Sequence, residues 1–255
     1  MTGLYLQGGG AKGAFQAGVL CALNDRGVKF NVISGTSIGG INGYFVLKND
    51  FSALKDAWLN KKVQLDSIDI SSPIIESSSA LEMLSGVKNN SDCSWVEHFF
   101  VNYVPIVGRR LTHSWSDLCP LDEEQRFERM RHSSLLPKGK GIDPFNGSYS
   151  LSEAKEQFKV DLHKGVYDEH VLDGGLLNNQ FLEPFSEVEV TKLVIVVFKT
   201  TFEVPDYIRT IYQPEQLIVI ASDIQYEKTD VMNFSSEFIK RNYHRGYEMG
   251  LEVTI

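Results

Sequence analysis

The 255-residue chain has few cysteines, few prolines, no long apolar run and no surplus of positive charge. Its three cysteines, Cys21, Cys93 and Cys119, are odd in number, widely spaced and without a CxxC pair. That argues against a disulfide framework or a zinc site and for a reducing compartment. The longest clean apolar stretches, 193–198 and 217–221, fall far short of the roughly 20 residues needed to span a bilayer. A formal charge of −8 counts against a nucleic-acid binder, whose phosphate contacts require an excess of Lys and Arg, and against global attraction to anionic lipid. Arg109, Arg110, Arg126, Arg129, Arg131, Lys138 and Lys140 cluster in sequence, but Glu123, Glu124 and Glu128 lie among them, so they read as a solvated surface of mixed sign. Residues 1–25 lack the basic start and unbroken apolar core of a signal peptide. The expected location is the cytoplasm, with peripheral membrane contact at most; export by a route independent of a signal peptide stays open.

Apolar residues at 42% and charged residues at 23% suit an ordinary α/β protein and rule out disorder. One domain over residues 1–255 is expected. The chain opens as strand (3–7), glycine loop (8–10), helix (11–26), strand (30–34), tight turn and helix (38–48). Ala14, Ala17, Gly18 and Ala22 in the first helix predict close packing on a sheet. Residues 60–150 lose the strand-helix rhythm and read as an inserted, mostly helical cap, with turns at Ser71-Ser72-Pro73, Asn89-Asn90 and Pro137-Lys138-Gly139. Within it, Trp95, Phe99 and Tyr103 form one helical stripe and Val96, Phe100 and Val104 the next. Rhythm returns after 165 with strands at 192–199 and 217–221 and a final helix at 231–250 whose apolar face packs back on the sheet. The fold expected is α/β, with a mainly parallel central sheet covered by helices on both faces in three layers.

Gly35-Thr36-Ser37-Ile38-Gly39 matches G-x-S-x-G, in which a serine on a sharp strand-to-helix turn is exposed at the sheet's C-terminal edge. Gly8-Gly9-Gly10-Ala11-Lys12-Gly13 ends the neighbouring strand and opens a helix. Free N–H groups and the positive helix end there suit an oxyanion. Lys12 is placed to add positive charge for a substrate phosphate, and reads equally as a solvated first-turn lysine. The same hexapeptide satisfies the dinucleotide pattern G-x-G-x-x-G, but the next strand ends Val32-Ile33-Ser34-Gly35 without the carboxylate that holds a ribose. Asp173-Gly174-Gly175 follows the short apolar Val171-Leu172; taken alone it reads as a strand-ending turn.

Together the three motifs, in this order, with Ala14-Phe15-Gln16-Ala17-Gly18 and Asn178-Asn179, resemble the patatin-like phospholipase family. The resemblance is specific over about 1–50 and 171–180. It implies a patatin-like three-layer fold and a Ser–Asp dyad in which Asp173 takes the proton of Ser37 directly. It also implies an oxyanion hole from the amides of Gly8, Gly9 and Gly10, and hydrolysis of phospholipid or lysophospholipid acyl esters without calcium, metal or cofactor. Transient contact with a membrane surface follows from such a substrate. Two departures stand out: Gln180 replaces the proline that usually follows the Asn pair, and the usual Ala-Ser-x-x-x-Pro segment is not found upstream of the aspartate. An α/β-hydrolase triad of Ser37, Asp173 and His244 is the rival among enzymes, though one helix and one strand between Gly10 and Ser37 leave no room for that fold's earlier strands. A lipid- or nucleotide-binding module without catalysis is the rival outside them.

Overall fold

The computed structural model describes residues 1–60, 72–75, 83–84, 87, 93–138 and 151–255. The strands among these are β1 (Thr2–Leu6), β2 (Val32–Gly35), β3 (Ile74–Ile75), β4 (His98–Val107), β5 (Arg110–Leu111), β6 (Ser114–Asp117), β7 (Leu136–Pro137), β8 (Val171–Asp173), β9 (Lys192–Val197) and β10 (Leu217–Ala221). The longer helices are α1 (Gly13–Asp25), α2 (Ile38–Leu47), α3 (Phe51–Leu59), α4 (Glu123–His132), α5 (Leu151–His163) and α6 (Ser236–Glu252). None among the described residues is long and apolar enough to cross a membrane.

The main sheet runs β10-β9-β1-β2-β4-β5, with parallel pairing from β10 through β4 and antiparallel pairing where β4 meets β5, β6 and β8. Its centre is buried on both sides, and the apolar residues alternate between them. Leu4, Leu6, Ile33, Val194 and Val196 join one core cluster, whereas Tyr5, Val32, Leu193, Ile195 and Val197 join the other. This period-two division of continuous apolar runs is what a parallel sheet with both faces covered requires. The first face carries α1, α2, α3 and α6. The second is covered by Phe181, Phe185, Val190, Ile208 and Tyr212, on the 181–190 segment and two single-turn helices, Pro184–Glu187 and Asp206–Arg209. The expected α/β sheet with helices around it is thus observed, with its helical mass concentrated on one side.

Three expectations change. Residues 95–104 do not form a helix: from His98 they are β4, with Phe99 and Val101 turned to one core and Phe100 to the other. A continuous apolar run satisfies both periods, and the partner strands decide between them. The cap at 60–150 is therefore not mostly helical where it is described, since β4, β5 and β6 belong to the sheet; Asn89-Asn90, Ser71, Gly139 and Lys140 lie outside the described residues. The last helix begins at Ser236, where the Ser235 hydroxyl accepts the Phe238 N–H, and it packs closely along α1 and against α3, with Phe238, Ile239 and Tyr243 in the core of the sheet's first face.

Small residues of α1 explain that packing, since Gly18 and Ala22 meet α6. A Cβ on Gly18 would stand 2.0 Å from the Tyr243 carbonyl oxygen, and one on Gly246 2.0 Å from that of Phe15. The two backbones touch, which buries α1 from Gly13 to Leu23.

β4 organises the neighbouring strand ends. Phe100 and Val101 pair with Ser34 and Gly35 of β2 along one edge and with Asp117 and Ser116 of β6 along the other. Tyr103 pairs with Ser114 of β6 and with Asp173 of β8. A strand has only two edges and β6 holds one, so β2 and β8 share the other. β2 runs parallel to β4 and ends opposite Val101; β8 runs antiparallel and ends opposite Tyr103. The two strands approach C-terminus to C-terminus.

Replacing Gly246 with Val should cost about 1–3 kcal/mol, the usual range for overpacking a close contact. A urea unfolding midpoint unchanged from wild type would show that α1 and α6 separate freely.

Candidate active site

Ser37 stands just past the end of β2 and caps α2. Its backbone is at φ 54° and ψ −125°, a region that costs a non-glycine residue about 1–3 kcal/mol and persists only where the surroundings enforce it. Here they do. The Ser37 N–H donates to Ser133 Oγ at 2.9 Å, and its carbonyl accepts the N–H groups of Gly40 and Ile41 at 2.9 and 3.2 Å. Gly39 lets α2 lie against β1, because a Cβ there would stand 2.2 Å from the Leu6 carbonyl oxygen.

Asp173 ends β8, and the meeting of β2 and β8 brings its carboxylate to the same cavity as Ser37, close enough for the Ser37 hydroxyl to draw its pKa down. Its Oδ1 also accepts the Gly175 N–H at 2.7 Å. The side chain is 4% exposed. Burial pushes its pKa from 3.8 up to about 6, against the opposing pull of the Ser37 and Gly175 hydrogen bonds. Desolvation outweighs both.

The glycine loop follows β1 and leads through a 3-10 turn, Gly10–Lys12, into α1. Gly10 has φ +55°, and a Cβ there would stand 2.1 Å from the Val231 carbonyl oxygen, so only glycine fits. The three candidate amides are not equivalent. Gly8 donates its N–H to Asn179 Oδ1 at 2.9 Å, which leaves those of Gly9 and Gly10 for a ligand oxygen.

Ser37, Asp173 and Gly8–Gly10 line a single cavity of about 250 Å³, walled by apolar side chains including Ile38, Ile41, Met83, Leu136, Val231 and Phe234. Lys12 is not part of it. Its ammonium lies over the rings of Phe198 and Tyr226, 5.1 and 5.4 Å from their centroids. Burial first, and then neighbouring Lys199, lower its pKa. Lys12, Lys199 and Arg209 line a separate polar cleft of about 700 Å³, divided from the apolar cavity by Gly8 and Asn179, which line both. No described histidine lines the cavity; His244 lies on exposed α6 surface, and His170 Nδ1 contacts the Asp168 carbonyl.

Sequence reading missed Ser133. It lies in His132-Ser133-Ser134-Leu135-Leu136-Pro137, where the Ser-x-x-x-Pro spacing was the available signal although histidine precedes the serine. The segment adjoins β8, where the Asp173 N–H donates to the Leu135 carbonyl at 2.8 Å, and Ser134 and Leu136 line the cavity.

Residues 4–118 match the family model described as patatin-like phospholipase. The resemblance read from the sequence holds over that span, which contains the glycine loop and Ser37 and stops short of Asp173. Lysophospholipase NTE1 of Candida glabrata is 32% identical over 144 residues, 53% of this chain and 8% of that protein. Lysophospholipase nte1 of Aspergillus terreus is 30% identical over 108 residues, 40% of this chain and 7% of that protein. The chain therefore matches less than a tenth of the length of these relatives. Among solved structures, VipD of Legionella pneumophila aligns with a TM-score of 0.46 at 13% identity, over 98% of this chain and 66% of that one.

A carboxyl whose pKa is raised on folding stabilises the protein while protonated and ceases to do so as pH rises through the folded value. Between pH 4 and pH 8, Asp173 should therefore cost the fold up to about 3 kcal/mol, from a shift of 3.8 to about 6. Asp173→Asn should unfold at higher denaturant than wild type at pH 8, with the gap closing below pH 4. A gap independent of pH would contradict the raised pKa.

Proposed function

We propose, from the patatin-like match over residues 4–118 and the geometry around Ser37, that this protein is a lipid acyl hydrolase of the phospholipase A or lysophospholipase type. The observation that carries the reading is a serine on a strained turn beside a buried aspartate, whose pKa is raised to about 6, in one apolar cavity. At neutral pH that carboxylate is ionised yet far more basic than an exposed one, as a proton acceptor for serine needs.

In the proposed reaction Ser37 Oγ attacks the ester carbonyl while its proton passes to Asp173. The N–H groups of Gly9 and Gly10, at the positive end of the turn leading into α1, receive the negative charge on the carbonyl oxygen. Asp173 then protonates the leaving alcohol. Water, deprotonated by the same carboxylate, releases the fatty acid from Ser37. No histidine is required, which accords with the residues lining the cavity. The apolar walls would take the acyl chain, and Lys12 would meet the substrate phosphate from the polar cleft beyond the Gly8–Asn179 wall.

We read residues 1–255 as one such domain, since β9, β10 and α6, which lie beyond the matched span, complete the same sheet and core. Leu176 and Leu177, 37% and 47% exposed, stand on the loop after Asp173, and Leu176 lines the cavity. They would touch a lipid surface transiently. The reading needs no calcium, metal or cofactor, and puts the protein in the cytoplasm or at its membranes.

Ser37→Ala and Asp173→Asn should each lower hydrolysis of a lysophospholipid by ~10³-fold or more. Wild-type turnover should rise with pH through about 6 and be indifferent to EDTA, because Asp173 acts ionised. A fluorophosphonate that leaves Ser37 unlabelled would favour a non-catalytic lipid-binding module instead.

A further inference from the structure

One side chain connects the glycine loop to the turn that carries the aspartate. Asn179 Oδ1 accepts the Gly8 N–H at 2.9 Å and Asn179 Nδ2 donates to the Gly8 carbonyl at 3.1 Å. A single carboxamide thereby satisfies both backbone groups of one glycine, as a neighbouring strand would. The contact is also steric. A Cβ on Gly8 would stand 2.6 Å from Asn179 Oδ1, and one on Gly175 3.3 Å from the same atom.

The segment that carries Asn179 is held from three strands. The Tyr5 hydroxyl of β1 donates to the Asn179 carbonyl at 2.6 Å. From β4, Asn102 Nδ2 donates to the Asn178 carbonyl at 2.8 Å. From β2, Ser34 Oγ donates to the Phe181 carbonyl at 2.6 Å. The segment from Asp173 to Phe181 is thus fixed to the sheet, while Gly8 lies beyond the last paired residue of β1 and begins a run of three glycines. Such a run has more backbone freedom than any other sequence. Amides that must reorganise when charge develops lose most of their advantage.

Resting on the Ser37–Asp173 reading, we propose that Asn179 is a positioning residue whose carboxamide holds the glycine loop in register with the base, so that the Gly9 and Gly10 amides are aimed before substrate arrives. It acts through Gly8 and leaves the reacting atoms to Ser37, Asp173 and the two amides. Both of its functional groups are needed. Aspartate keeps the acceptor, loses the donor and brings a negative charge beside the developing oxyanion; alanine loses both.

The test compares wild type, Asn179→Ala, Asn179→Asp and Ser37→Ala on p-nitrophenyl butyrate, following kcat, KM, the pH profile and the thermal midpoint. For Asn179→Ala, kcat should fall ~10²-fold with KM within about threefold, as for loss of an oxyanion donor. Its pH midpoint should stay near 6, because Asp173 keeps its own surroundings. Asn179→Asp should fall at least as far, and, being isosteric, it carries the test if the alanine variant fails to fold. The proposal is overturned if Ser37→Ala abolishes turnover while both Asn179 variants keep kcat within about threefold of wild type. It is equally overturned if the loss in Asn179→Ala comes with a displaced pH midpoint, or if both variants lose folded protein in proportion to activity. Equal turnover by wild type and Ser37→Ala would sink the dyad reading, and this one with it.

Discussion

Beside one edge of β4, β2 and β8 arrive from opposite directions and stop with Asn102 between their last paired positions. Neither strand could supply the pair alone: a parallel strand delivers its C-terminal residue to one end of the sheet, and only an antiparallel neighbour brings a second C-terminal residue to meet it. The nearness of Ser37 and Asp173 follows from backbone register before any side-chain preference is considered. β4 must therefore be long. Its ten residues pair with β2 first and β8 afterwards on the same edge, and a shorter strand would offer no place for the second.

That meeting point is dry, and dryness sets the chemistry. Asp173 loses water that would have favoured its charge and receives only two compensating hydrogen bonds, so its carboxylate is held at a basicity between an ordinary aspartate and a histidine. The apolar walls that would receive an acyl chain are the same ones that desolvate the base. Widening the cavity toward solvent would lower the basicity of Asp173 as well as loosen the chain, which ties substrate fit to proton transfer. Ser37 is constrained from the other side, its strained backbone held by Ser133 and by the first turn of α2.

Much of this was legible in the sequence. β1, β2, β9 and β10 announce themselves as short apolar runs ended by glycine or polar residues, and G-x-S-x-G located the serine. Residues 95–104 were misread because a run dominated by apolar and aromatic positions fits a helix stripe as well as a strand, and only β2, β6 and β8 break the tie. Asp173 looked like a turn until set beside the other motifs, since nothing local reveals that its strand ends facing β2. The commitment of the Gly8 N–H was not legible at all: its acceptor lies 171 residues away. Ser133 was legible and overlooked, its Ser-x-x-x-Pro spacing hidden by the histidine before it.

The cavity's volume of about 250 Å³ lies just below the range of 300–1,000 Å³ usual for small-molecule pockets. On the proposed reading, a long acyl chain would enter only in part. The remainder would stay outside, and the exposed Leu176 and Leu177 mark where it leaves the protein. If the proposal holds, such a site would not extract its lipid. It would reach into a layer of lipid and work on whatever ester its rim can lift, so catalytic rate would follow how loosely neighbouring molecules are packed as much as any affinity for one of them.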